Sequence, residues 1–103
     1  MDNKTLYQKS LAALGLEHSD IIDKYPNKKI FRKKMIVCLY LRGEKMISSS
    51  EVAHLFGHSR RNIFRMQNTA EEHYKKDSFF NKDYKDFKKY INGEEREKTV
   101  QLY

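Results

Sequence analysis

Residues 35–41, MIVCLYL, are seven consecutive apolar side chains in a chain of which 34% of the residues are charged. No other stretch is apolar for so long, so the fold must close around this one. The run falls far short of the roughly 20 residues a membrane-spanning helix needs. Val, Ile and Tyr in an unbroken run would also suit a buried strand. The length of the whole segment, KIFRKKMIVCLYLR at residues 29–42, favours a helix, and no partner strand is legible elsewhere. This central helix is expected to be polar at its start, buried nearly all round after Met35, and stopped by Gly43. Cys38, the only cysteine, sits inside the run and reads as a small buried hydrophobe. A lone cysteine excludes an intrachain disulfide and fits a reducing compartment.

The flanking segments carry helical periods. NKTLYQKSLAALGL puts Leu6, Ser10, Leu11 and Leu14 on one face and stops at Gly15. EHSDIIDKY reads as a short helix with Ser19 as N-cap and Ile21 and Ile22 as anchors, broken by Pro26. In SFFNKDYKDFKKYI, Phe80, Tyr84, Phe87 and Ile91 form a further stripe. NGEEREKTVQLY reads as a flexible tail opening at Gly93, so the expected organisation is a single helical domain over residues 1–92 and a tail over 93–103. The N-terminus is amphipathic and lacks the apolar core of a signal peptide, which points to the cytoplasm.

Between these segments lies SSSEVAHLFGHSRRNIFRMQ, residues 48–67. Ser48 and Glu51 have capping-box spacing. A short helix follows with Val52, Leu55 and Phe56 inward, interrupted by Gly57. Ser59 can cap a second helix from Arg60, in which Ile63, Met66, Ala70 and Tyr74 form one stripe. A helix-turn-helix needs a small residue where the second helix packs close, and Ala53 is there. It needs a turn residue tolerant of positive φ, and Gly57 is there. No hairpin signal follows. The expected fold is all-α, about six helices, with a non-winged helix-turn-helix over residues 49–75.

The chain carries a net charge of +7, concentrated in the middle: Lys24 to Arg65 holds eleven Lys/Arg against two acids, Glu44 and Glu51. Such a field suits a polyanion; the plain alternative is a solvated basic surface. Arg60, Arg61, Asn62 and Arg65 stand where a second helix would read bases, because Arg pairs with guanine O6/N7 and Asn with adenine N6/N7. His58 and Ser59 lie at the helix start, where backbone N–H groups favour phosphate. KYPNKKIFRKK holds Lys24, Lys28, Lys29, Arg32, Lys33 and Lys34 and no acid, a loop and helix start that can straddle phosphates or reach into an adjacent minor groove, with Lys28, Lys29, Arg32 and Lys33 as the chief candidates; the plain alternative is solubility. Phe64 reads more readily as packing than as a thymine contact. His18, His54, His58 and His73 lack the spacing and company of a metal site, and no nucleophile–base pair or phosphate-cradling Gly loop is legible. The expectation is therefore a non-enzyme without cofactor or metal.

The order of parts resembles the DNA-binding C-terminal domain of the bacterial replication initiator DnaA, within the Trp-repressor-like group, from about Lys4 to Ile91. LGLEHSDIIDKYPNKKIFRKKMIVCLYL is similar to its opening helices, basic loop and central helix; SSSEVAHLFG to the first helix of its helix-turn-helix; NIFRMQNTAEEHYKKDSFFNKDYKDFKKYI to its recognition and closing helices. Where the family carries Gly-Arg-Asp-His-Thr-Thr-Val, this chain has GHSRRNI. The resemblance implies the fold and duplex-DNA binding, with Lys28 and Lys29 toward the minor groove and Arg60, Arg61, Asn62 and Arg65 in the major groove. It does not carry over the initiator's own binding box. The leading expectation is a small stand-alone, sequence-specific double-stranded DNA-binding protein in transcription or replication control, bacterial or phage, nucleoid-associated when bound. The alternatives are a protein-interaction module on a repurposed helix-turn-helix scaffold, and RNA or nonspecific nucleic-acid binding.

Overall fold

The computed structural model describes residues 2–100, with side chains described through Gly93. Among the described residues it has six α-helices, one π-helical turn and no strand: α1 (Asn3–Leu14), α2 (His18–Ile22), α3 (Lys28–Leu39), the π turn Tyr40–Glu44, α4 (Ser49–Phe56), α5 (Arg60–Lys76) and α6 (Ser78–Val100). The all-α class is thus observed. Among the described residues no helix is long and apolar enough to cross a membrane.

Short polar side chains start most of these helices by satisfying amide groups that the first turn leaves unpaired. Asp2 accepts from Thr5 N–H at 2.7 Å, Asn27 from Ile30 at 2.9 Å, Ser48 from Glu51 at 3.2 Å and Ser59 from Asn62 at 3.2 Å. Asp77 does the same for α6, its Oδ1 accepting from Phe79 and Phe80. At α2 the N-cap is Glu17 rather than Ser19, with the Asp20 carboxylate accepting from Glu17 N–H at 2.9 Å. Residues Gly15 and Gly57 close α1 and α4 at φ 67° and 65°, the left-handed geometry that favours glycine.

Helix α3 is the hub. Its C-terminal half, Lys34 to Leu39, is wholly buried, and Tyr40 and Leu41 extend the buried run into the π turn. It packs most extensively on α5, and α1 and α6 close the core. Ile63, Met66 and Ala70 of α5 and Phe80, Tyr84 and Phe87 of α6 face inward, as their spacing predicts, while Ile91 is partly buried. In α1 the inward set is Tyr7, Ser10 and Leu11, with Leu6 and Leu14 only partly covered. Each fully buried Val, Leu or Ile contributes about 1.5–3 kcal/mol. Cys38 lies in this core, where burial pushes its thiol up to about 12.

Two helix ends differ from expectation. Gly43 does not stop the central helix; it lies inside the π turn. The stop comes three residues later at Met46, φ 54°, the one non-glycine with positive φ among the described residues. Lys45 N–H donates to the Tyr40 carbonyl at 3.0 Å and Ile47 N–H to Leu41 at 2.9 Å. The wider turn keeps Tyr40, Leu41 and Ile47 buried together, and burial outweighs the local preference for a glycine stop. Likewise α6 does not end at Gly93, because its backbone stays helical to Val100. An interior Gly costs a helix only about 1 kcal/mol, and the following EEREK is a run of good helix formers. The last residues of the expected tail, 101–103, lie outside the described residues.

Candidate nucleic-acid interface

The α4–α5 junction is three residues, Gly57, His58 and Ser59. Ala53, in the middle of α4, is buried, and its carbonyl accepts from His58 N–H at 3.0 Å. A Cβ built on Gly57 would sit 3.3 Å from Ile22 Cγ2, so α2 buttresses the turn closely. With Ile63, Met66 and Ala70 turned inward, the 100° step of the helix turns Arg61, Phe64, Arg65 and Asn68 outward. Asn62 and Thr69 occupy one edge of that face, toward the α2–α3 loop, and all six are exposed. From Arg60 to Ala70 the helix has three Arg and no acid.

The other edge of this face is held by hydrogen bonds. Arg60 Nε donates to Ser49 Oγ at 3.3 Å, tying α5 to the first turn of α4. Arg42 donates from Nε to Gln67 Oε1 at 2.9 Å and from Nη1 to the Ile47 carbonyl at 2.8 Å. Its guanidinium also lies 5.7 Å from the centre of the Phe64 ring. Phe64 thus has the Arg42 guanidinium over its ring while the side chain stays exposed.

The sequence-predicted basic constellation is divided between two faces of α3. Lys29, Arg32, Lys33 and Ile36 share one face and line a groove of about 550 Å³ with Asp83, Asp86 and Tyr90 of α6. Phe31 and Lys34 point the other way, toward α5. Arg32 is committed internally: it donates to Asp83 Oδ2 at 3.1 and 3.2 Å, lies 3.5 Å from Asp77 and stacks 5.5 Å from the Phe80 ring. It serves as a clasp between α3 and α6 rather than as a surface cation. Lys28 is exposed at the start of α3.

Two further predicted residues are differently employed. The Ser59 hydroxyl is taken up in capping α5. The His58 ring is directed into the fold, not outward from the helix start. It packs edge-on against Phe56 with 6.2 Å between centroids, and its Nε2 lies 2.6 Å from Lys34 Nζ. An ammonium only donates, so Nε2 accepts and the imidazole proton sits on Nδ1. Burial lowers the pKa of His58; the Gly57 backbone opposes this, and Lys34 and Lys24 lower it further.

The sequence reading named the basic loop with Lys24 but missed Tyr25 and the groove the loop forms with the α5 face. Lys24, Tyr25 and Pro26 of the α2–α3 loop line, with Asn62, Arg65 and Thr69, an open groove of about 450 Å³. Asp23 shapes this loop, its Oδ1 accepting from Tyr25 N–H at 2.9 Å. Asn68 and Thr69 were also missed. Extending the helical step one turn past Arg61, Asn62 and Arg65 finds both. No protein-family model, curated protein or solved structure matches this chain.

Proposed function

We propose that the protein binds double-stranded DNA by laying the first turns of α5 into the major groove. In this reading α4 and α5 form a non-winged helix-turn-helix of the DnaA C-terminal-domain or Trp-repressor-like kind, and the protein acts in transcription or replication control. The observation that carries it is the exposed face of α5, where Arg61, Asn62, Arg65 and Asn68 stand together without an acid. These side chains suit base edges: Arg matches guanine and Asn matches adenine, both bidentately. Lys24 and Lys28 lie in or beside the loop that flanks the helix and supply sequence-independent attraction to phosphates. Arg60, tethered to Ser49, orients the helix pair and is a poorer candidate for base contact than Arg61 or Arg65.

The test is selection of bound sequences from a random duplex library at near-physiological salt, with an Arg61→Ala/Arg65→Ala variant in parallel. A short enriched motif that vanishes in the folded variant is the expected result. For about six to eight phosphate contacts, log K falls with log salt at a slope of roughly −5 to −7. A folded wild type that enriches nothing and binds without salt dependence would refute the reading, and would favour a protein-interaction module on the same scaffold.

A further inference from the structure

The groove between the α2–α3 loop and α5 has a buried cation at its floor. Lys34 is 2% exposed, yet no carboxylate pairs with it directly. Its Nζ donates to the Asp23 carbonyl at 2.9 Å and to His58 Nε2 at 2.6 Å, which engages two of its three N–H groups. Among the described residues no carboxylate lies within ion-pair distance of it. Burial lowers the pKa of Lys34, and the nearby charge of Asp23, beyond ion-pair distance, opposes this. A buried ammonium without a directly paired carboxylate is costly. Its desolvation is relieved when an anion comes to it.

The rim has the complementary chemistry. Lys24 and Arg65 bring charge, Asn62 an amide and Tyr25 a hydroxyl, and no acid lines the groove. Tyr25 is 91% exposed, so its ring stands clear of the protein at the mouth. Two of the lining residues, Asn62 and Arg65, also belong to the outward face of α5, so the groove adjoins the surface proposed to meet base pairs.

We infer that this groove seats one phosphodiester of the DNA backbone, with Lys34 as the cation beneath it and Lys24 as the donor beside it, at the edge from which Asn62 and Arg65 turn toward the bases. The inference rests on the DNA-binding reading above and adds to it a fixed phosphate register for α5. His58 accepts from Lys34 and so keeps the ammonium oriented; it is a positioning residue, not a ligand. A phosphate held here would set how far α5 enters the major groove, because phosphate contacts fix orientation while base contacts specify.

The test uses two variants and two probes. Lys34→Met keeps the unbranched stem and removes the charge, and Lys24→Gln removes a surface cation that the core does not use. Both are first checked for wild-type helicity. The probes are a short mixed-sequence duplex, titrated at several salt concentrations, and inorganic phosphate, followed by NMR against chloride at constant ionic strength. Expected are a loss of duplex affinity of about tenfold and a salt slope shallower by about one in each variant. Saturable phosphate-dependent shifts are also expected at Asn62, Arg65 and the His58 ring, lost in Lys34→Met. Should Lys34→Met fail to fold, Lys24→Gln and the wild-type phosphate titration carry the test. Wild-type duplex affinity and slope in the folded variants would overturn the phosphate seat while leaving DNA binding standing. Saturable phosphate shifts without binding to any duplex would keep the seat and overturn the DNA reading. Phosphate shifts that do not saturate, or that persist unchanged in Lys34→Met, would overturn the seat.

Discussion

Exchanging the residues at the end of the central helix tests the fold at the point where sequence and structure part. Gly43 has no positive φ and lies inside the π turn, whereas Met46 holds φ 54°. A Cβ on Gly43 would meet only Leu39 Cδ1, at 3.8 Å, an ordinary contact. Gly43→Ala therefore removes backbone freedom from the unfolded chain without strain, a stabilisation of about 0.5–1 kcal/mol. At Met46 the left-handed geometry costs an L-residue about 1–2 kcal/mol. Glycine would remove that strain and return about 0.5–1 kcal/mol as unfolded-state entropy. The Met46 side chain is 82% exposed, so little burial is lost. Met46→Gly should stabilise by up to about 1.5 kcal/mol. Together the two changes, about 0.5–2.5 kcal/mol, should raise Tm by roughly 2–20 °C, taking about 4–8 °C per kcal/mol for a small domain. Thermal and urea denaturation of the single and double variants measure this. Were Gly43 the left-handed stop, Gly43→Ala would instead lower Tm. A fall in Tm for Gly43→Ala, with Met46→Gly neutral or worse, refutes the argument.

Other predictions follow from single residues. Gly57→Ala meets both a φ of 65° and Ile22 Cγ2 at 3.3 Å, so it should destabilise by at least about 1–2 kcal/mol in urea melts. Cys38 is fully buried with its thiol pushed up to about 12, so a thiol reagent at pH 8 should label it only as fast as the protein opens; fast labelling of native protein would contradict its placement. Tyr7 donates to or accepts from His18 Nδ1 at 2.8 Å, and burial pushes its hydroxyl from 10.0 to about 12. The folded state then holds the phenolic proton more tightly than the unfolded state. Stability from this group is present below pH 10 and is lost as pH rises toward 12; Tyr7→Phe should flatten that part of the stability–pH profile.

Much of the fold was legible because it rests on local rules. The caps at Ser48 and Ser59, the stops at Gly15 and Gly57, and the inward stripe Ile63–Met66–Ala70 each depend on residues within one or two turns. The exposed α5 face was legible for the same reason, since burying that stripe turns Arg61, Asn62 and Arg65 outward. The split of the basic run was half legible. A helical step places Lys29, Arg32 and Lys33 opposite Phe31 and Lys34, but it does not say which face meets α6. Asp77 and Asp83 decide that Arg32 is a clasp, and they lie 45 and 51 positions away in the chain.

By itself, then, the sequence determined where helices begin, which stripes are apolar and where positive charge collects. Capping, periodicity and Coulomb attraction act over a few residues or on totals. Only the tertiary structure decided what those charges do. It buried Lys34 under a groove, turned His58 onto it, drew Arg32 to α6 and brought the Lys24–Tyr25 loop beside Asn62 and Arg65. Those outcomes depend on which helix lies against which face of α3, and the packing of the whole core sets that choice.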